Sequence, residues 1–323
     1  LSFNPKLPTS VLLSIVGQLG KKAGERAACV KREWRDVVGT AKALGMYDVK
    51  VLSVAVSGGG DSCFTVFCLS TGVFSCGGGV EHEYDDSDDE DGDEMDMPAL
   101  GHGGEGTELV PRMIEVLTEK KVVGAAAGDH HTAVWTDDGE LFTFGYGGYG
   151  QLGHGEQQTE LVPRLVAALA GNKVIGAAAG GHHTAVWTDE GELFTFGHGG
   201  HGELGHGGLH DELVPRLVEA LAGKKVVGAA ASIYHTAVWT EEGELFTFGV
   251  GGDAQLGHGG EEDELVPRLV GGLAGKKVVG ASTGNCHPAV WTAAGVLFIF
   301  GVRRRRILGR GGTENALVSR RVG

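Results

Sequence analysis

Trp135, Trp187, Trp239 and Trp291 stand 52 residues apart. The LVPR tetrads that begin at Leu109, Leu161, Leu213 and Leu265 keep the same step, and LVSR from Leu317 continues it. No other feature constrains the chain as strongly. A unit of this size cannot bury its own apolar faces, so copies must stack against one another.

Each period breaks into short strand-like pieces. KVVGAAAG is small and apolar, HTAVWT is β-branched and aromatic, and GELFTFG follows a turn. The DDG, DEG and EEG triplets between the last two are hairpin signals, because Gly takes the positive φ of a tight turn. LVPRLV is a fourth strand whose Pro suits a sheet edge. Helical repeats of similar length need two amphipathic helices per unit, and only the stretch around LVAALAG has room for a helical turn. Four strands per unit with Gly-rich connections predict a propeller blade. A degenerate first unit starts with VKVLSVAVSGG (49–59) and continues with SCFTVFCLSTGVFSCG (62–77). The repeated Trp lies inside the AVWT strand and is expected in the blade core.

Gly-x-x-His-Thr, the hairpin ending in Phe-Gly, GQLGHG at 150–155 and LVPRLV together resemble the repeats of the regulator-of-chromosome-condensation family. The resemblance implies an all-β β-propeller, usually of seven blades. Here it predicts about five four-stranded blades over 48–323, preceded by a small α-helical segment over 1–47. A five-bladed ring, an incomplete ring and a piece of a longer chain all fit that count. Family members that sense ultraviolet-B carry Trp ahead of Arg-His-Thr; this chain has Asp129-His130, Gly181-His182, Ile233-Tyr234 and Asn285-Cys286 ahead of the repeated His.

Charge is unevenly spread. The formal net charge is −15, but residues 81–96 hold eleven acids and no Lys or Arg, which leaves 31 acids against 27 bases elsewhere. The acidic run is an insertion (81–98) in the loop between the third and fourth strands of the first unit. Self-repulsion predicts that it is disordered. Read as an EF-hand loop around Gly92, it places Ser87 first and Pro98 twelfth, which fails at both anchor ligands. Asp85, Asp86, Asp88, Asp89, Glu90 and Asp91 are candidates for docking a basic partner, and Ser87, followed by acids, is a candidate for an acid-directed kinase. In the fifth unit the same loop carries Arg303, Arg304, Arg305, Arg306 and Arg310. In a closed five-blade ring the two loops would be neighbours, and an electrostatic clasp between them is expected to loosen in salt. No aromatic platform accompanies the Arg run, which argues against nucleic acid as a partner.

Residues 1–47 lie outside the repeat. LPTSVLLSIVGQLG (7–20) and ERAACVKREWRDVV (25–38) have helical apolar spacing. Leu7, Pro8, Leu12, Ile15, Leu19, Val30 and Trp34 resemble an F-box, although Gly24 stands near the place of an expected Leu. That resemblance implies docking to a Skp-type adaptor of a cullin ubiquitin ligase, with the propeller recruiting substrate. The other reading of the segment is a helical cap on the first blade.

Chemistry is sparse. His131, His183, His235 and His287 open the hairpins, and His102, His154, His206 and His258 sit in GHG loops. A repeat places one residue type in every blade, so these are expected to be structural, bonding backbone in Gly-rich corners. HGGHGELGHGGLH gathers His198, His201, His206 and His210, a weak spacing for zinc or nickel. No phosphate loop and no G-x-S-x-G nucleophile motif occurs. The chain is therefore expected to be a non-catalytic scaffold without cofactor. The alternatives are a guanine-nucleotide exchange factor for a Ran-like small GTPase on chromatin, which the family resemblance implies, and a structural subunit of a larger assembly. Five Cys without paired-motif spacing read as buried thiols of a reducing compartment. With no apolar run of membrane-spanning length, the expected location is cytoplasmic or nuclear.

Overall fold

The structure, a computed structural model, describes residues 50–57, 63–78, 99–104, 106–284, 288–301 and 316–322; for Cys63 and 316–322 only the backbone is considered. The expected helical segment 1–47 lies outside these residues. Among them, regular structure is all β apart from short 3-10 turns, arranged as five four-stranded antiparallel, propeller-like sheets with strands in sequence order.

The first sheet holds β1 (Val51–Val56), β2 (Cys63–Leu69), β3 (Gly72–Gly78) and β4 (Glu108–Met113). The second holds β5 (Val122–Ala127), β6 (His131–Thr136), β7 (Leu141–Gly145) and β8 (Glu160–Leu165). The third holds β9 (Val174–Ala179), β10 (His183–Thr188), β11 (Leu193–Gly197) and β12 (Glu212–Leu217). The fourth holds β13 (Val226–Ala231), β14 (His235–Thr240), β15 (Leu245–Gly249) and β16 (Glu264–Leu269). The fifth holds β17 (Val278–Thr283), β18 (Pro288–Thr292), β19 (Leu297–Gly301) and β20 (Ala316–Val322). The LVAALAG stretch makes a 3-10 turn at Ala167–Leu169 that buries Leu169.

Two compact units divide the chain. The first contains the β1–β4 sheet, β5, β6 and most of β7 and β8; the second contains β9–β20 together with Asp138–Leu141 and Gly147–Gln158. Each has its own core. In the first, Phe64, Val66, Leu100, Ile114, Val134 and Phe144 pack together. In the second, one cluster forms around Val218, Leu221, Val238 and Phe248, and another around Val270, Val278, Val290 and Phe300. The middle strands are buried on both faces, as in β14, where Thr236, Ala237 and Val238 are all fully enclosed. Such strands read as small and apolar runs instead of alternating ones.

Two irregularities repeat. Between first and second strands the register slips at Val122/Gly124, Val226/Gly228 and Val278/Gly280. The skipped residue turns outward, which is why Val123, Val227 and Val279 are exposed in an apolar strand. Between third and fourth strands, Gly197 pairs with Glu212 but Thr195 pairs with Arg216. Pro215 falls in that gap, where no ladder N–H is required, and the strand lies at the sheet edge as its Pro predicts.

The tryptophans depart from expectation. They are half-buried rather than core, and Trp291 is exposed. Each ring lies flat across the Gly it faces on the first strand. A Cβ on Gly124, Gly176, Gly228 or Gly280 would stand 2.1 to 2.3 Å from the indole. The side chain points off the sheet, and only a residue without Cβ lets the ring close down on the backbone.

Candidate partner-binding face

In the second unit, 180–182 and 232–234 join first to second strands, while 198–211 and 250–263 join third to fourth strands. In an antiparallel sheet these connections share one end. The hairpin turns at 189–192 and 241–244 lie at the other.

Most histidines at this end hold the framework. Thr195 Oγ1 donates to Leu204 O at 2.7 Å and lies 2.9 Å from His206 Nε2; Thr247, Leu256 and His258 repeat the arrangement at the same distances. Because the hydroxyl proton goes to the carbonyl, the imidazole donates from Nε2. Ser75, Leu100 and His102 form the same triad in the first unit. Burial lowers the pKa of His102, His206 and His258, with a nearby Arg as the next cause in each. His183 of the hairpin-opening set behaves alike, whereas His235 Nδ1 lies 2.7 Å from Ser232 Oγ in the turn before its own strand. Thr236 Oγ1 donates to Glu203 O at 2.8 Å, and His183 Nε2 lies 2.7 Å from the same hydroxyl. Burial, then His235, His182 and His198, push His183 down to about 3. His102, His183, His206 and His258 take the expected structural role, but each imidazole pairs with a Ser or Thr hydroxyl rather than backbone, and His287 lies outside the described residues. In the hairpin-opening set the Thr hydroxyl in turn reaches the carbonyl of the preceding unit's loop, as in Thr184 to Gln151 O at 2.8 Å.

The GHG glycines fix these loops. Gly153, Gly205 and Gly257 have φ near +75°, and a Cβ would stand 2.8 to 2.9 Å from the buried Phe196, Phe248 and Phe300 rings of the following unit. Gly155 N and Gly207 N then donate to Leu213 O and Leu265 O, latching each loop onto the next fourth strand at 2.9 Å.

On this framework lies a row of rings that no repeat requires. Tyr149 and His182 are 4.9 Å apart between centroids, Tyr149 and His198 5.2 Å, His198 and His201 5.4 Å, and His201 and Tyr234 4.9 Å. Tyr234 is 42% exposed and the others are half-buried. Beneath them sits Glu203, fully buried. Its Oε2 accepts from His201 N at 2.8 Å, as Gln151 accepts from Tyr149 N and Gln255 from Asp253 N. Its Oε1 lies 2.6 Å from His198 Nδ1. A buried carboxylate costs far more than an amide unless it is paired. Gln255 shows that an amide suffices for the loop, so the carboxylate answers to His198, whose Nδ1 carries the proton.

Sequence reasoning singled out His198, His201, His206 and His210 as one cluster. The structure separates them: His206 turns to Thr195, while His198 and His201 join tyrosines from other loops. Among the described residues no three His, Cys, Asp or Glu side chains converge as a metal-holding group. Cys68 and Cys76 are buried in the core and form no disulfide. Leu7, Pro8, Leu12, Ile15, Leu19, Val30, Trp34, the acidic run with Ser87, and Arg303–Arg306 with Arg310 lie outside the described residues. Among the described residues no helix is long and apolar enough to cross a membrane.

Repeated four-stranded sheets, His-Thr bridges and GHG latches define a class of propeller-like repeat proteins. The model of the regulator of chromosome condensation (RCC1) repeat matches 98–135, 138–187, 190–239 and 242–291, more than half of the sequence, and the chain belongs to that family. It is 36% identical over 271 residues to the E3 ubiquitin-protein ligase HERC2 of Mus musculus, covering 83% of this chain and 5% of the ligase. It is 32% identical over 224 residues to the ultraviolet-B receptor UVR8 of Arabidopsis thaliana, covering 69% of this chain and 51% of the receptor. The chain thus spans a small part of the ligase and about half of the receptor. Human WBSCR16 superposes with a TM-score of 0.69 at 26% identity, over 85% of this chain and 68% of that one. Prp20p of Saccharomyces cerevisiae gives 0.70 at 18% identity, over 87% and 64%, and shows the fold alone.

Proposed function

We propose that this chain is a non-catalytic protein-interaction module that selects its partner with the loop face of the second unit. One observation carries this reading: the framework residues HTAVWT and GELFTFG recur unchanged in the second, third and fourth repeats, while the loop positions between them do not. Position 198 is Tyr146 one unit earlier and Val250 one unit later; position 201 is Tyr149 and Asp253. Framework that repeats while surface diverges is how a scaffold acquires a specific partner.

The sharper form of the reading makes 1–47 the attachment to a Skp-type adaptor, through Leu7, Pro8, Ile15 and Trp34, and the repeats over 48–323 the substrate recruiter of a cullin-type ubiquitin ligase. The acidic run and the Arg run add charged docking loops. Supporting it are the F-box-like spacing and the similarity of the repeats to those within HERC2, named an E3 ubiquitin-protein ligase. An exchange-factor role has as its support Prp20p, studied for binding Gsp1p and histones, and that likeness reaches the fold only.

The test is affinity capture with the full chain, a loop-face variant (Tyr149→Ala, His201→Ala, Tyr234→Ala) and a turn variant at the opposite end (Glu190→Ala, Glu242→Ala). Partners identified by mass spectrometry should be lost from the loop-face variant alone. Purified Skp-type adaptor should bind the full chain and not Leu7→Ala/Trp34→Ala. Capture indifferent to the loop face removes the interaction reading for that face, and adaptor that never binds removes the ligase form.

A further inference from the structure

We propose that the row Tyr149, His182, His198, His201 and Tyr234 is a docking strip for an extended, Lys- and Arg-rich segment of a partner protein. The inference rests on the interaction-module reading and names the chemistry of its partner.

The described loops on this face of the second unit (147–158, 180–182, 198–211, 232–234 and 250–263) contain no Lys and no Arg, whereas the equivalent loop of the fifth repeat, outside the described residues, carries Arg303–Arg306 and Arg310. Lys173, Lys224, Lys225, Lys276 and Lys277 all lie at the opposite end of the strands. Two loop acids have structural tasks: Asp211 accepts from Gly199 N and Asp263 from Gly251 N. Asp253, Glu261 and Glu262, in the loop of the next repeat, are half-buried or exposed. An anionic or phosphorylated segment would meet like charge from these carboxylates, whereas a cationic one would be attracted to them.

The rings supply the contact. Tyr faces attract ammonium and guanidinium groups, and tyrosine is enriched at protein interfaces because it offers a rigid apolar body with a polar tip. The Glu203–His198 pair suits the same ligand. With Nδ1–H directed at the carboxylate, neutral His198 keeps Nε2 as an acceptor. Protonated, its charge is offset by Glu203 directly beneath. Neither state sets a net positive charge under the strip.

His198 and His201 are not needed to fold the loop. Val250 and Asp253 occupy the positions of His198 and His201 one unit later, and Asp253 N still donates to Gln255. Their presence is explained by what they face.

The test is fluorescence anisotropy of the full chain with a labelled peptide alternating Lys, Arg and Ser, beside a Glu/Ser peptide of equal length. The basic peptide should bind saturably and lose about tenfold in affinity in Tyr149→Ala/Tyr234→Ala, the scale expected for two ring–cation contacts. Tyr149→Phe/Tyr234→Phe, which keeps the rings, should retain most of it, and far-UV circular dichroism should match wild type for both. Neutralising the acidic run (Asp85→Asn, Asp86→Asn, Asp88→Asn) should leave the ring dependence intact. The proposal is overturned if the basic peptide does not saturate, if the acidic one binds more tightly, or if binding ignores the Tyr pair. Such a failure beside loop-face-dependent capture would remove the cationic partner and leave the interaction module standing.

Discussion

Gly228→Ala tests the most repeated contact of the fold. Gly228 pairs with Trp239 across β13 and β14, and an added Cβ would lie 2.1 Å from Cζ2 and 2.3 Å from Cε2 of the indole. Carbon atoms sit comfortably at about 3.5 to 4.0 Å, so the ring must move by well over an ångström or the strands must part. The φ of Gly228 lies outside the left-handed region. The penalty is therefore steric, and Ala's gain in unfolded-state entropy, at most about 1 kcal/mol, opposes it. Overpacking of this kind costs about 1 to 3 kcal/mol. The net expectation is a loss of about 1 to 2 kcal/mol. Guanidinium unfolding followed by far-UV circular dichroism reads it without relying on the Trp signal. The pairwise origin shows in a double-mutant cycle: with Trp239→Leu the clash partner is gone, so Gly228→Ala should cost nothing further. Equal cost in both backgrounds, or wild-type stability for Gly228→Ala alone, would refute the ring-on-glycine account.

Other outcomes follow from the histidine bridges and the core. His183 titrates at about 3 when folded against an ordinary 6.5, because burial disfavours imidazolium. Its contribution to stability is complete above 6.5 and falls as the unfolded chain takes up the proton, by up to about 1.4 kcal/mol per pH unit down to about pH 3. Unfolding midpoints measured from neutral pH to about pH 4.5 should drop, and His183→Gln should flatten that slope by one proton; an unchanged slope contradicts it. Thr236→Val strips the hydroxyl from both Glu203 O and His183 Nε2, and should destabilise by about 2 to 3 kcal/mol because two buried groups lose a partner; a change below about 0.5 kcal/mol would place the bridge outside the stability-determining contacts. Cys68, with its thiol pushed up to about 12 by burial, and Cys76 should resist a soluble alkylating reagent until guanidinium is added, as peptide mapping can show; labelling in the native state would contradict their burial.

The blade was legible because its chemistry is periodic. The Gly of each hairpin turn, the Pro in four of the five fourth strands and the apolar middle strands each signal locally, and 52-residue repetition multiplies the signal. The half-buried tryptophans were misplaced because strand pattern alone does not register that the facing residue is a Gly, which lets the ring lie flat on the sheet. The loop face was only partly legible. HGGHGELGHGGLH drew attention to its histidines, but metal spacing groups residues along the chain, whereas Tyr149, His198 and Tyr234 come from loops of three successive units. The one available clue was the change from GQLG to GELG at Glu203, an amide becoming a carboxylate in an otherwise constant motif. Its meaning needed His198 in view.

Hydrogen–deuterium exchange of the full chain, alone and with a captured partner, tests the loop-face assignment most directly. Protection concentrated in 147–158, 198–211 and 232–234, with the hairpin turns at 189–192 and 241–244 unchanged, is the predicted result. Protection confined to those turns, or absent from every loop of the second unit, would contradict it.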